Sequence, residues 1–493
     1  MALRLYNTMS AGIEEFVPLE PNHVRMYACG PTVYDYGHIG NFRTFVAIDI
    51  LVRFLRQSGY EVRHVMNITD VDDKIIRNSA RDGVGVKEYT AKFEKAFLED
   101  LAALNIKQPE LVHATDHIPE MAKFVADLQQ KGYAYRAEDG SYYFRIAKFP
   151  GYGKLSKRDF AGMEDGARVD LDEYEKDNAR DFALWKAPKP GEGFWESEIG
   201  PGRPGWHIEC SVMAMEELGE TFDLHAGGED LIFPHHENEI AQSEAQTGKP
   251  FARFWFHARF LLVEGEKMSK SQGNFYTLRD LVLKGHKPSA IRYLLASVPY
   301  RNQINFTFDG LQQASASVER LRNFQARISA SHFPDGSTAM TELAKQAQDR
   351  MRTGLEDDLN TAQAQAAIFD LIRAANAALD IGQVKSGDVP PLLAVLGQFD
   401  EIFAVLKDDD GPKMQAITQW AKDEGREAEI SSELLESVAS HQLSDADIEK
   451  KISDMEAARK AKTFAVSDKI RGELAAAGIV VETSKEGVRW HRK

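Results

Sequence analysis

Between His23 and Ala28 apolar side chains alternate with more polar ones, Val24, Met26 and Ala28 against His23, Arg25 and Tyr27. A period of two predicts a half-buried strand, ending at Cys29-Gly30-Pro31. Past that turn the period changes: Phe45, Ile48, Val52 and Leu55 recur at helical spacing until Gly59 stops the run. Val62, Val65 and Ile68 then predict a second strand that closes at Thr69-Asp70. Strand, helix and strand make a βαβ unit, the opening of an α/β, doubly wound parallel sheet. Sites in such sheets lie outside the carboxyl ends of the strands, so Cys29, Gly30, His38 and Thr69 are expected to converge.

The strand signal returns at Phe222, Leu224 and Ala226 and runs into Gly227-Gly228-Glu229-Asp230, with a helix expected from near Pro234. Two separated halves, 1–132 and 206–260, imply an insertion at 133–205, which ends in a Pro- and Gly-rich stretch. After 261–310 the pattern becomes helical over 311–407. Leu311, Ala314, Val318, Leu321 and Phe324 form one stripe, and Ala366, Phe369, Ile372 and Arg373 belong to a second, alanine-rich stretch. Asp408-Asp409-Asp410-Gly411-Pro412 reads as a linker before a last domain, 413–493.

Composition narrows the class. The chain has 493 residues, 43% hydrophobic and 28% charged, and no apolar run nears the roughly 20 residues a membrane helix needs. Its first residues, MALRLYNTMS, carry neither an apolar leader core nor an Arg-rich transit pattern, so a cytoplasmic location is expected. The two cysteines, Cys29 and Cys210, exclude a disulfide scaffold; taken alone they read first as two small buried hydrophobes. A net charge of -16 argues against indiscriminate coating of nucleic acid. From Met455 onward, however, nine basic residues face five acids, a local basic surface or simply a solvated helix face.

Two short segments carry the chemistry. His38-Ile39-Gly40-Asn41 puts a histidine at the first turn of a helix that follows a strand, where backbone N–H groups and the helix dipole favour phosphate. Gly40 permits close approach of a nucleotide to the backbone. Lys267-Met268-Ser269-Lys270-Ser271, between Gly265 and Gly273, makes a loop with two cations that could close over a triphosphate. A K-x-x-K alone is more simply a solvated loop. Together the two segments resemble the paired signature of class I aminoacyl-tRNA synthetases. That resemblance implies that His38, Asn41, Lys267 and Lys270 are catalytic, and that Gly40, Gly227, Gly228, Asp230 and Ser269 join them in binding ATP, with Asp230 on the ribose. Asn41 departs from the second histidine of the class-wide motif.

Gly202-Arg203-Pro204-Gly205-Trp206-His207-Ile208-Glu209-Cys210-Ser211, the run from Asp230 to Glu239, and Asp358-Leu359-Asn360-Thr361 narrow the resemblance to the cysteinyl-tRNA synthetase subgroup. Independently, His235 and Glu239 are four apart on one helix face, a spacing suited to two ligands of one metal. With Cys29 and Cys210 they form a plausible zinc set, either structural or catalytic. The resemblance assigns one Zn²⁺ to selecting the substrate thiol, with Gly30, Thr69 and Trp206 in the cysteine pocket; Trp206 equally fits a core aromatic. His236 stays outside the set, since on a regular helix it points about 100° from His235.

The resemblance further implies a Rossmann-type catalytic domain with a connective insertion, a stem-contact region holding the lysine loop, a DALR-type helical bundle and a small anticodon-binding domain. Its reaction joins L-cysteine to tRNA(Cys) through cysteinyl adenylate, using ATP with Mg²⁺, in a protein expected to be monomeric. Two alternatives stay open: a ligase joining cysteine to an amino sugar, as in the mycothiol pathway, and a silent RNA-binding paralogue. The basic tail with Arg489-Trp490-His491-Arg492 favours tRNA, because aromatic and cationic side chains together suit unpaired bases. A K-I-I-K segment linked in some relatives to persulfide formation reads Lys74-Ile75-Ile76-Arg77 here, so that activity is not expected.

Overall fold

The computed structural model describes residues 3–158, 168–169, 181–189, 193–330, 332–440, 443, 445–484 and 487–492. A hairpin of β1 (Arg4–Asn7) and β2 (Gly12–Glu15) precedes the first alternating segment, which is strand β3 (His23–Ala28). Helix α1 (Ile39–Gln57) and strand β4 (Glu61–Ile68) complete the expected βαβ unit. Helices α2 (Asp73–Asp82) and α3 (Val86–Ala103) lead to β5 (Glu110–His113) and α4 (Ile118–Gln130).

The chain then leaves the central sheet. Strands β6 (Ala134–Arg136), β7 (Tyr142–Phe144), β8 (Arg168–Val169), β9 (Asp181–Lys186) and β10 (Arg203–Pro204) form a separate sheet, antiparallel except where β8 meets β9. It returns through α5 (Trp206–Leu218), β11 (Phe222–Gly228), α6 (Glu237–Thr247) and β12 (Ala252–Ala258). The central sheet has the order β12-β11-β3-β4-β5, every pair parallel. Connections run outward in opposite directions from β3 and β11, so the topological switch point, and the crevice it opens, lies between their carboxyl ends. Both faces are covered, which is why β11 is buried along its whole length rather than alternating.

Beyond the sheet, β13 (Leu261–Val263), β14 (Glu266–Lys267), α7 (Leu278–Leu283), α8 (Pro288–Ala296) and β15 (Ile304–Phe306) carry the lysine loop. Helices α9 (Phe308–Ala330), α10 (Met340–Glu356), α11 (Thr361–Asp380) and α12 (Val389–Phe403) follow. The stripe from Leu311 to Phe324 is buried in α9, as its spacing predicts. In α11 the buried face is Ala364, Ala367, Ile368, Leu371, Ile372 and Ala375, while Ala366 and Arg373 are exposed. Alanine on all sides of that helix blurs the stripe.

A buried ionic node joins the bundle to the sheet. Asp49 of α1 accepts from Arg292 at 2.6 Å and from Arg53 at 2.7 Å. Arg292 also donates to the Phe403 carbonyl at 2.5 Å and the Leu104 carbonyl at 2.9 Å.

The stretch read as a linker is not one. Asp410 is fully buried at the start of α13 (Asp410–Asp423), accepting from the Ser289 N–H at 2.8 Å and hydroxyl at 2.6 Å and from Arg322 at 2.8 Å. An acidic run looks solvated in sequence, but here its last carboxylate satisfies a free backbone donor at the start of α8, the Ser289 N–H. Helix α14 (Ser432–Ser440) packs on α13, whereas α15 (Asp445–Lys460), α16 (Phe464–Ala476) and the hairpin of β16 (Ile479–Ser484) and β17 (Gly487–Arg492) enclose their own small core around Ile448, Ile452, Met455, Leu474 and Ile479.

Candidate active site and metal centre

At the carboxyl end of β3, Cys29 donates its backbone N–H to the Ala226 carbonyl of β11, pinning the switch point. Gly30 follows, where an added Cβ would collide with the Asn67 carbonyl oxygen; this close approach needs glycine. Its N–H donates to Asn67 Oδ1 at 2.8 Å, Asn67 donates to Thr69 Oγ1 at 3.1 Å, and that hydroxyl donates to Glu209 at 2.8 Å. The chain of bonds ties the loop bearing Cys29 to the helix bearing Cys210, with Thr69 at its centre.

Cys210 lies in α5 and His235 in the turn before α6. One ligand atom from each of Cys29, Cys210, His235 and Glu239 falls within 4.8 Å of the others, and all four residues are buried. The sulfur atoms are 3.9 Å apart, about the separation of two thiolates each ~2.3 Å from one tetrahedral ion. His235 Nε2 stands 3.0 Å from Glu239 Oε1. The cluster shares its protons among its own members, and a metal ion would displace those that Cys29 and His235 hold. Burial would raise Glu239, but the His225 and His235 imidazoles hold it down at about 2. Burial likewise opposes ionisation of Cys210, yet the bond from the Cys29 thiol and the neighbouring His235 bring it to about 6. His235, despite burial, is pushed up to about 10 by Glu239 and Cys210. Two thiols, an imidazole and a carboxylate in this geometry fit a metal ion.

His236, set aside from the ligand set, nevertheless approaches the cluster. Within residues 232–236 the non-helical backbone is at Phe233, φ -142° and ψ 131°, before the helix expected from near Pro234, and His236 is itself helical at φ -68° and ψ -31°. His236 Nε2 lies 3.2 Å from Cys29 Sγ, and Cys29, His225, His236 and Glu239 make a second, overlapping set of candidate ligands. His236 Nδ1 contacts His257 Nε2 at 2.8 Å, and His257 Nδ1 contacts Thr8 Oγ1 at 2.8 Å. His225 Nε2 holds the second oxygen of Glu239 at 2.7 Å, and His207 Nδ1 meets His235 Nδ1 at 2.9 Å. Trp206, half-buried at the start of α5, stacks on His235 with centroids 4.1 Å apart. Sequence reasoning missed His207, His225, His257, Asn67 and Glu209. The legible signals were histidines near the ends of strands otherwise apolar, and Asn67 two positions before Thr69 on the same strand face.

The nucleotide side adjoins this cluster. His38 caps α1, and its bonding to Asn41 is reciprocal: Asn41 N–H to His38 Nδ1, and His38 N–H to Asn41 Oδ1, each 3.1 Å. Asn41 therefore fixes the ring and leaves Nε2 for a ligand. Burial lowers the His38 pKa, with Asp230 opposing and Lys270 adding to the shift. A Cβ on Gly40 would stand 2.9 Å from His38 Nδ1 and 3.2 Å from Met268 Cε, so the two motifs touch there. Gly227 and Gly228 end β11, and exposed Asp230 follows them. In the loop, Ser269 caps a short turn, Lys267 is exposed in β14, and Lys270 Nζ pairs with Asp35 at 2.7 Å.

The chain is similar to known proteins along its whole length. Residues 15–316 match the model of the class I (C) tRNA synthetase catalytic domain, and residues 350–407 match the DALR domain. The chain is 65% identical over 495 residues to a cysteine–tRNA ligase of Koribacter versatilis (strain Ellin345), covering 100% of both chains, and 54% identical to one of Solibacter usitatus (strain Ellin6076), again covering 100% of both. A methionyl-tRNA synthetase of Mycobacterium tuberculosis in complex with methionyl-adenylate shares the fold, with a TM-score of 0.57 at 15% identity, over 82% of this chain and 92% of that one. No helix among the described residues is long and apolar enough to cross a membrane. With catalytic-domain and DALR matches and full-length likeness to such enzymes, the chain belongs to the cysteine–tRNA ligase family of class I tRNA synthetases.

Proposed function

We propose that the chain activates L-cysteine with ATP to cysteinyl adenylate and pyrophosphate, then transfers the cysteinyl group to the 3′-terminal adenosine of tRNA(Cys). The observation that carries this reading is a buried Cys29–Cys210–His235–Glu239 cluster next to the Gly227 end of its strand, from which Asp230 acts on the His38 helix terminus, where Gly40 in turn lies against Met268 of the lysine loop.

In this reading the cysteine carboxylate attacks the α-phosphate of ATP, and pyrophosphate leaves. His38, whose Nδ1 is engaged by Asn41, offers Nε2 to the phosphate as charge builds there. Lys267 and Lys270 neutralise the departing phosphates and the Mg²⁺ that accompanies ATP, and Ser269 shapes the loop that brings them in. Gly40, Gly227 and Gly228 let the nucleotide lie against the backbone, with Asp230 on the ribose hydroxyls.

Cys29, Cys210, His235 and Glu239 would hold one Zn²⁺. When bound, zinc supplies a ligand position that takes a thiolate far more readily than serine's hydroxyl, a distinction that shape alone makes poorly. Gly30, Thr69 and Trp206 line the pocket beside it. Thr69 is held by Asn67 and Glu209, and Trp206 by its stack on His235, so both are oriented before substrate arrives.

An amino sugar as acceptor would use the same activation site. Full-length likeness to cysteine–tRNA ligases and the DALR match at 350–407 favour tRNA instead, and the last domain, 413–493, with its basic end from Met455, is assigned to the anticodon. Cysteinylation assays with a tRNA(Cys) transcript and with a glucosamine-containing acceptor test this: charging of the transcript alone is expected, and charging of the sugar alone would overturn the acceptor assignment.

A further inference from the structure

Trp420 belongs to α13, far along the chain from both nucleotide motifs, yet it walls the loop leading into His38. Its Nε1–H donates to the Tyr36 hydroxyl at 3.2 Å, and the two rings meet edge to face with centroids 5.2 Å apart. Phe93 of α3 meets the Tyr36 ring edge to face at the same distance. The Arg279 guanidinium of α7 lies 5.3 Å from the Tyr36 ring centre and 4.6 Å from that of Trp420, and is itself held by Asp100 at 2.8 Å and Glu99 at 2.9 Å. Tyr36 is thus gripped by α3, α7 and α13. The residue before it is Asp35, the partner of Lys270.

A second connection leaves the same segment. Arg426 lies over Trp420 at 5.1 Å and donates to Asp280 Oδ1 at 2.8 Å. The other oxygen of Asp280 accepts the N–H of Thr277 at 2.9 Å, and Thr277 pairs with His38. The root of the lysine loop and the approach to His38 are therefore both tied to residues 420–426.

We propose that Trp420, with Arg426 beside it, is a positioning residue for adenylate formation, holding the Tyr36 segment so that Asp35 parks Lys270 beside the His38 helix terminus. The inference rests on the proposed role of Lys270 in activation. An exposed lysine–carboxylate pair is weak, so an incoming triphosphate takes Lys270 from Asp35 with little resistance. The loop has meanwhile already lost much of the freedom that closure removes. Displacement of about 1 Å in such an arrangement is enough to cost up to ~100-fold in rate.

Cysteine-dependent pyrophosphate exchange, with bound metal and melting temperature measured alongside, tests the proposal. Trp420→Ala is expected to lower kcat about tenfold while KM for cysteine and metal content stay unchanged. Asp35→Asn should show a similar loss, and in its background Trp420→Ala should cost less than about twofold, since one function has already been removed. If Trp420→Ala does not fold, Tyr36→Phe, which removes the hydroxyl and keeps the ring, and Trp420→Phe, which keeps a smaller ring without the N–H, carry the test: each should lower kcat, and together no further than the larger single loss. A wild-type kcat in these variants, or losses that multiply fully in the double variants, overturns the inference. Lys270→Ala separates the two levels. Wild-type exchange there would fell the lysine-loop reading itself; slow exchange there with unaltered Trp420 variants would fell only the positioning role.

Discussion

Cys29 and Cys210 bring their sulfur atoms to 3.9 Å although one ends a strand of the first half of the sheet and the other sits in a helix after the insertion. Both are free and buried, and His235 and Glu239 complete the cluster. The fold therefore assembles a soft donor set that neither half contains alone. Replacing one sulfur by oxygen keeps the size and removes the preferred ligand. Cys210→Ser should lower bound metal from about one per chain to below about a tenth, with loss of cysteine activation, as read by elemental analysis beside exchange kinetics. A variant that keeps metal and activity would refute the metal-recognition reading.

Among the described residues Lys270 makes one ion pair, an exposed one with Asp35, and it packs over Phe275 at 5.0 Å. Little of the fold depends on it. Lys270→Ala should slow adenylate formation by about 100-fold in single-turnover experiments, the usual scale for losing one group that meets transition-state charge, and leave metal content and melting temperature unchanged.

Asp49 lies between Arg53 and Arg292, with its carboxylate buried. Removing it strands buried guanidinium charge at the junction of the catalytic sheet and the helical bundle. Asp49→Ala should cost about 3–5 kcal/mol in urea unfolding. The better control is a joint change, Asp49→Leu with Arg292→Met, which removes both charges and should recover part of that loss.

His64 is buried in β4 and burial depresses its pKa to about 4 from 6.5. Between those values the unfolded chain binds a proton that the folded chain refuses, so stability falls as pH drops from 6.5 toward 4. The contribution between pH 7.5 and pH 5 is about 2 kcal/mol. His64→Leu should narrow the difference between urea midpoints at those two pH values; an unchanged difference would show that this imidazole titrates freely.

Much of the site was legible in the chain because its local signals are strong. The alternation at His23–Ala28 and its change to helical spacing at Phe45 define a βαβ unit, and that topology puts the Cys29-Gly30 turn and Thr69 at one end of the sheet, where Asn67 links Gly30 to Thr69. What remained hidden depended on non-local packing. His236 was set aside on helical phase, yet its ring comes within 3.2 Å of Cys29 Sγ, a contact across 207 positions. Asp410 looked solvated among acidic neighbours, yet Ser289, 121 positions earlier, buries it. Trp420 gave no sign of its partner, since nothing in its own segment points to Tyr36.

The central claim is that one buried metal cluster beside a nucleotide site selects and activates cysteine. Pyrophosphate exchange with ATP, comparing cysteine with serine on protein of known metal content, tests it most directly. The account predicts cysteine-dependent exchange at about one zinc per chain with serine inert. Equal exchange with serine, or cysteine-dependent exchange undiminished after zinc removal, would contradict it.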